Sequence, residues 1–144
     1  MSKKILLIED NGYVTEDLTV ALIKDYDVEN AYNYINAMGI WKEENGDFDC
    51  IILDLQISPK GLTDEDIETY RPVFGIAFLH KICEGKSPDE VRAIHKKTII
   101  YSGFIRDLND AIRRNNWDLS QVEILEKRGF GITEIKKQVN KICR

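Results

Sequence analysis

Two patterns of apolar residues alternate along the chain. One is a short continuous apolar segment, and the other is a longer stretch with apolar residues at helical spacing. Short apolar segments that end in polar turn formers are typical of strands buried in a parallel sheet. They predict five strands, at residues 5–8, 27–31, 50–53, 98–101 and 122–125. Between these segments, apolar residues recur every three or four positions, as on the buried face of a helix. This spacing predicts helices near residues 12–24, 34–41, 75–84, 88–97 and 108–114, and a last helix through residues 132–142.

The segment from Gln56 to Phe74 interrupts this alternation. It contains Pro59, Gly61, Pro72 and an acidic stretch. Prolines and glycines end regular elements, and clusters of polar residues between periodic segments are typical of loops. We therefore predict a long surface loop here that includes one turn of helix.

Strands that alternate with helices indicate an α/β fold. The connections favour a mostly parallel sheet with helices on both faces, and the pattern runs through residues 1–144 as a single domain. In such sheets, ligands bind beyond the carboxyl ends of the strands. The polar residues that end the predicted strands are therefore expected at one edge of the sheet: Glu9, Asp10, Asp54, Ser102 and Lys127.

The carboxylates at this edge predict a magnesium site. Like charges that lie close together repel each other, and each loses hydration when it is partly buried. A hard divalent cation relieves both effects, and Mg²⁺ prefers oxygen ligands. We expect Asp10 and Asp54 to bind Mg²⁺ directly, with the backbone carbonyl of Gln56 as a third ligand. Glu9 is expected to act through a bound water.

A magnesium ion beside a free carboxylate favours phosphoryl transfer. That reaction needs an in-line nucleophile and neutralisation of charge on the phosphoryl oxygens. Asp54 can be the nucleophile, because a carboxylate can form an acyl phosphate. Lys127 can place a positive charge near the phosphoryl oxygens, and Ser102 can donate a hydroxyl hydrogen bond to them.

Composition and charge exclude several other classes of protein. Of the 144 residues, 43% are hydrophobic and 31% are charged, which is typical of a folded domain rather than a disordered chain. The net charge of −5 provides no electrostatic footprint for nucleic acid. No apolar run approaches the roughly 18 residues that a membrane helix needs. Three cysteines without CxxC spacing (Cys50, Cys83 and Cys143) are expected to be reduced thiols in a cytoplasmic protein.

Four segments of the sequence resemble the signature strands of a response-regulator receiver domain of two-component signalling. They read KILLIEDN at 4–11, IILDL at 51–55, IIYSG at 99–103 and ILEK at 124–127. They occur in the family's order, and the match that they define spans nearly the whole chain. The resemblance implies a flavodoxin-like, doubly wound sheet of five parallel strands in the order 2-1-3-4-5.

The resemblance also implies a function in a phosphorelay. Asp54 would accept a phosphoryl group, in the presence of Mg²⁺, from a phosphohistidine on a sensor histidine kinase or a histidine phosphotransfer protein. Ser102 would then reorient toward the phosphoaspartate. The surface made by the family's fourth helix, fifth strand and fifth helix would repack and bind an output protein. Such a protein catalyses only its own phosphorylation and dephosphorylation.

The sequence departs from the family pattern in three places. Arg128 and Gly129 follow Lys127 where the family usually has proline, so the glycine is expected to make the turn. Ile124 occupies the position of an aromatic residue that rotates on activation, which argues against a rotating-ring switch. The loop after the phosphoacceptor strand is expanded into residues 56–74, and the stretch at 86–97 is also enlarged.

These departures leave alternative functions open. The chain could be a receiver-like protein-interaction module that is not phosphorylated. The expanded loop could cover the site, select the kinase, bind an output partner, or be a tolerated surface insertion, since longer loops cost little stability. A haloacid-dehalogenase-type phosphatase also combines Asp, Ser, Lys and Mg²⁺, but such enzymes place the nucleophilic aspartate after the first strand.

Overall fold

A parallel sheet forms the centre of the part of the chain that the computed structural model describes, residues 2–129 and 131–144. Its strands are β1 (Lys3–Ile8), β2 (Tyr26–Ala31), β3 (Cys50–Leu53), β4 (Thr98–Ser102) and β5 (Glu123–Glu126). They lie in the order β2-β1-β3-β4-β5, and every pair of neighbours is parallel. The predicted α/β class and the order 2-1-3-4-5 are confirmed.

Helices cover both faces of the sheet. They are α1 (Gly12–Leu22), α2 (Tyr34–Glu43), α3 (Asp64–Tyr70), α4 (Gly75–Cys83), α5 (Pro88–Lys96), α6 (Ile105–Asn115) and α7 (Ile132–Cys143). The core cluster on one face includes Ala37, Ile76 and Leu108 from α2, α4 and α6. The cluster on the other face includes Leu18 from α1 and Val139 from α7. None of the helices in the described residues is both long and apolar enough to cross a bilayer.

The strand residues alternate between these two clusters. In β1, Leu6 and Ile8 belong to the cluster of α2, α4 and α6, whereas Ile5 and Leu7 belong to the cluster of α1 and α7. Successive side chains of a strand point to opposite faces. A strand covered on both sides must therefore be apolar throughout, and this is why the central strands have nearly continuous apolar runs.

The segment at residues 56–74 is more ordered than predicted, because it contains the seven-residue helix α3 where the sequence predicted one turn of helix. The side chain of Thr63 accepts a hydrogen bond from the amide of Asp66 at 3.1 Å and caps the helix. The acidic stretch forms the first turn of α3, where negative charge interacts favourably with the helix dipole. Acidic residues in such a segment are typical of a solvated loop. A threonine followed by acidic residues is, however, also typical of the start of a helix.

The expanded segment is packed into the protein. Ile57 and Val73 are buried, and the ring of Tyr70 stacks on Trp117 with a centroid distance of 5.5 Å. The Tyr70 hydroxyl and Nδ1 of His80 are hydrogen-bonded at 2.9 Å. Burial lowers the pKa of His80 to about 4, so this histidine is neutral near pH 7. The segment therefore contributes buried residues to the core around α4, although many of its polar residues are exposed.

Gly75, the first residue of α4, lies against the end of β3. Its amide donates a hydrogen bond to the carbonyl of Leu55 at 3.0 Å. A Cβ atom at this position would lie 2.2 Å from the backbone oxygen of Asp54, far inside van der Waals contact. Glycine is therefore required for α4 to approach the backbone that carries Asp54.

We expect Gly75→Ala to lower the free energy of unfolding by about 1–3 kcal/mol, because the added methyl must displace backbone atoms. The matched control is Gly39→Ala in α2, where a Cβ meets nothing within 4 Å. This control should be stabilised by about 0.5–1 kcal/mol, since alanine restricts the unfolded chain and favours helix. Urea unfolding of both variants measures the difference. A Gly75→Ala variant as stable as the wild type would show that the close approach is not a constraint.

Candidate functional site

Backbone hydrogen bonds at the carboxyl end of the sheet fix the positions of Glu9 and Asp54. The amide of Glu9 donates to the carbonyl of Ala31 at 2.9 Å, which extends the pairing of β1 with β2. The amide of Asp54 donates to the carbonyl of Ile8 at 2.9 Å, which extends the pairing of β3 with β1. The side chains of Glu9 and Asp54 therefore leave adjacent strands at the same edge.

Lys127 joins this edge from the far side of the sheet. Its amide donates to the carbonyl of Ser102 at 3.1 Å, so the backbone just after β5 is tied to the end of β4. Its Nζ lies 2.6 Å from Oε1 of Glu9 and 3.3 Å from Oδ2 of Asp54. One ammonium group thus bridges two carboxylates that are 118 and 73 residues away in the sequence.

Three carboxylates cluster around this ammonium. One oxygen from each of Glu9, Asp10 and Asp54 can be chosen so that all three lie within 4.8 Å of one another. Glu9 and Asp54 are buried, at 2% and 5% exposure, whereas Asp10 is exposed. The amide of Asn11 donates to Oε2 of Glu9 at 3.2 Å, and the amide of Gln56 donates to Oδ1 of Asp54 at 3.3 Å.

The negative charge of the cluster is only partly compensated. Burial raises the pKa of Glu9 to about 7, and its hydrogen bond and repulsion with Asp54 act in the same direction against the effect of Lys127. Burial and the charge of Asp54 also raise the pKa of Asp10. Burial lowers the pKa of Lys127, but the hydrogen bond to Glu9 and the charge of Asp54 outweigh it, so its pKa is raised. A further cation would stabilise this site.

The donor set fits a hard divalent cation. Carboxylate oxygens from two strand ends converge here, and Asp10 gives the cluster an exposed side from which an ion can enter. Mg²⁺ prefers such oxygen ligands and usually takes one or two carboxylates while keeping several waters. The amide of Gln56 donates a hydrogen bond to Asp54, which places Gln56 beside the cluster, while ligation by the Gln56 carbonyl stays a prediction.

Ser102 is connected to the other site residues through the backbone. Its side chain is fully buried, and its Oγ accepts a hydrogen bond from the amide of Phe104 at 3.1 Å. Its carbonyl accepts the amide of Lys127. Gly103 follows it, and a Cβ there would meet nothing within 4 Å, so the approach past Ser102 is open. The role of the hydroxyl in phosphate binding stays a prediction.

The turn after Lys127 forms without the proline that is usual in the family. The amide of Gly129 donates to the carbonyl of Glu126 at 3.1 Å and closes a turn through Lys127 and Arg128. Ile124, at the position of the usual aromatic residue, packs partly buried against the cluster of α2, α4 and α6. The departures therefore leave the backbone of Lys127 on the sheet edge.

Sequence reasoning missed two residues of this site. Gly75 fixes the backbone of Asp54, as described above. Tyr101 places its ring beneath Lys127, with the ammonium 5.6 Å from the ring centroid. A glycine at a helix start and an aromatic residue next to a strand-end serine were the signals, but each is too common to single out these positions.

Comparison with solved structures finds the same fold over almost the whole chain. A response regulator receiver domain protein from Clostridium thermocellum has a TM-score of 0.66 and 20% identity, covering 98% of this chain and 94% of that chain. A CheY-like receiver domain protein from Methanospirillum hungatei has a TM-score of 0.64 and 17% identity, covering 99% and 97%. An adenylate cyclase from Rhodopirellula baltica has a TM-score of 0.67 and 19% identity, covering 99% and 88%.

Sequence comparison adds no closer relationship. No protein-family model matches the sequence, and no curated protein matches it. Identities of 14% to 20% to the solved structures establish the fold and do not transfer the activity of any one neighbour. The fold expected from the signature strands is confirmed: this chain has the fold of a response-regulator receiver domain.

Proposed function

We propose that this protein is a phosphoacceptor receiver of a two-component phosphorelay. The observation that carries the proposal is the bridge from the Lys127 ammonium to Glu9 and Asp54 at the carboxyl end of a receiver-type sheet. A buried carboxylate, a neighbouring carboxylate pair and a fixed ammonium supply the nucleophile and the charge that phosphoryl transfer needs.

Asp54 is the proposed acceptor. One of its carboxylate oxygens attacks the phosphorus of a phosphohistidine, the phosphorus–nitrogen bond breaks, and an acyl phosphate forms while the electron pair leaves with the imidazole. The ammonium of Lys127, now 3.3 Å from Oδ2 of Asp54, offsets charge on the phosphoryl oxygens. The hydroxyl of Ser102 donates a hydrogen bond to one of those oxygens.

Asp10 and Asp54 are the proposed direct ligands of Mg²⁺, with the carbonyl of Gln56 as a third ligand and Glu9 acting through a bound water. When bound, the ion would neutralise negative charge on the phosphoryl oxygens. The chain's own contribution is to hold its carboxylates at the sheet edge before any ligand arrives. The burial of Glu9 and Asp54 serves this purpose, because close packing around them limits the movement of their side chains.

The proposed partners follow from this chemistry. A sensor histidine kinase or a histidine phosphotransfer protein supplies the phosphoryl group. Phosphorylation repacks the surface of α6, β5 and α7, which corresponds to the family's fourth helix, fifth strand and fifth helix, and an output protein binds there. We propose a cytoplasmic location and no activity beyond the protein's own phosphorylation and dephosphorylation.

A second candidate function is protein binding without phosphorylation. Arg128 and Ile124 favour it, because they replace the usual proline and the rotating aromatic residue. In that case the acidic cluster persists without accepting a phosphoryl group. The two functions differ in whether Asp54 can be labelled.

We expect the protein to gain one phosphoryl group when it is incubated with Mg²⁺ and acetyl phosphate, as measured by intact-protein mass spectrometry. Asp54→Asn should remain unlabelled, because an amide is not nucleophilic enough to replace the carboxylate. Asp17→Asn on the exposed side of α1 is the matched control and should be labelled like the wild type. Equal labelling of Asp54→Asn would refute the assignment of Asp54 as the acceptor. An unlabelled wild type would favour protein binding without phosphorylation.

Removing the charge of Asp54 and binding Mg²⁺ should each raise the free energy of unfolding. In EDTA at pH 8, Asp54→Asn should be more stable than the wild type by about 1 kcal/mol, because it removes one charge from a repelling cluster. Mg²⁺ at ten times its dissociation constant should stabilise the wild type by about 1.4 kcal/mol. Asp54→Asn should lose most of that gain, whereas Asp17→Asn should keep it.

Urea unfolding with and without millimolar Mg²⁺ measures both effects. A wild type that does not respond to the metal would contradict the magnesium site. An Asp54→Asn variant that is less stable than the wild type in EDTA would contradict the charge repulsion.

A further inference from the structure

The aromatic ring of Tyr101 lies close to the ammonium of Lys127, in addition to the two carboxylates. Nζ of Lys127 lies over the ring of Tyr101, 5.6 Å from its centroid. This distance is within the range of about 6 Å over which a cation is attracted to the face of an aromatic ring. The ammonium is therefore placed by Glu9, Asp54 and this ring together.

The ring of Tyr101 is itself held by the core. Tyr101 lies in β4, pairs in register with Leu125 of β5, and is 7% exposed. It belongs to the cluster that also contains Ile135 and Val139 of α7. A buried aromatic side chain in a strand has little rotational freedom, so the ring is a fixed surface beside the long side chain of Lys127.

Tyr101 does not occupy the place of the missing aromatic residue. Ile124, at that place, packs with the cluster of α2, α4 and α6, whereas Tyr101 packs with the cluster of α1 and α7 on the opposite face. The ring therefore reaches Lys127 from the other side of the sheet. Burial raises the pKa of Tyr101 and the Lys127 ammonium opposes this rise, which agrees with their proximity.

Lys127 needs a positioning contact for a physical reason. Its long side chain extends from a turn and is 25% exposed. Its bond to Glu9 at 2.6 Å is shorter than its contact with Asp54 at 3.3 Å. A shift of the ammonium toward Glu9 alone would keep the shorter contact and lose the one with Asp54. A fixed ring restricts the side chain to positions that still reach Asp54.

We propose that Tyr101 is a positioning residue for Lys127, whose ring keeps the ammonium beside the Asp54 carboxylate, where the phosphoryl oxygens would form. This inference rests on the proposed function for its effect on phosphorylation. The placement of the ammonium over the ring is independent of that function and can be measured by itself.

The experiment uses three variants of the full chain. Tyr101→Phe keeps the ring and removes the hydroxyl, whereas Tyr101→Leu removes the ring. Leu125→Val is the matched control, because it perturbs the same core cluster beside Tyr101 without touching the ammonium. The readouts are the proton shift of the Lys127 ε-methylene, assigned with Lys127→Arg, and the initial rate of phosphorylation by acetyl phosphate with Mg²⁺.

We expect an upfield ring-current shift of the Lys127 methylene in the wild type, Tyr101→Phe and Leu125→Val. Tyr101→Leu should lose that shift and phosphorylate about tenfold more slowly, in line with the strength of a partly buried cation–π contact. Tyr101→Phe should stay within about twofold of the wild type. If Tyr101→Leu does not fold, Tyr101→Met supplies a longer, flexible side chain without a ring, which can fill an irregular gap, and is expected to behave in the same way.

Two results would overturn the inference. One is a wild type without the upfield shift, and the other is a Tyr101→Leu variant that phosphorylates at the wild-type rate. An unlabelled wild type that still shows the shift, lost in Tyr101→Leu, would refute the proposed function and support the placement of Lys127 by the ring.

Discussion

Repulsion among three carboxylates at one edge of a sheet is the constraint around which this site is built. Side chains free in solution would separate, but Glu9 and Asp54 are fixed by the hydrogen-bonded extension of adjacent strands. A single ammonium, that of Lys127, bridges the two buried members. The free energy of the folded sheet therefore maintains a local excess of negative charge, which a bound cation would offset.

The surrounding structure holds the backbone of Asp54 in place. Gly75 brings α4 into direct contact with the carbonyl of Asp54. The expanded segment before α4 is anchored by the Tyr70 contacts with His80 and Trp117. The expanded segment begins two residues after Asp54 but is not a free loop. Its own helix and buried residues instead connect it to the core of the same face.

Lys127 shows how a site can keep its geometry while its local sequence changes. A turn closed by Gly129 forms where the family usually has proline, and the amide of Lys127 still reaches the carbonyl of Ser102. The ring of Tyr101 contacts the ammonium from the face of α1 and α7. The backbone of the lysine is set by the sheet, and its side chain is set by charge and by an aromatic neighbour.

The sequence by itself determined the strands, their parallel arrangement and the polar residues at their ends, because burial on both faces leaves a continuous apolar run that ends where polar groups can reach water. The resemblance to receiver domains added the strand order. Tertiary structure alone decided that Gly75 touches the Asp54 backbone and that Tyr101 lies under Lys127. Those contacts join residues far apart in the chain, and their energies depend on distances of a few ångströms that no local pattern of residues encodes.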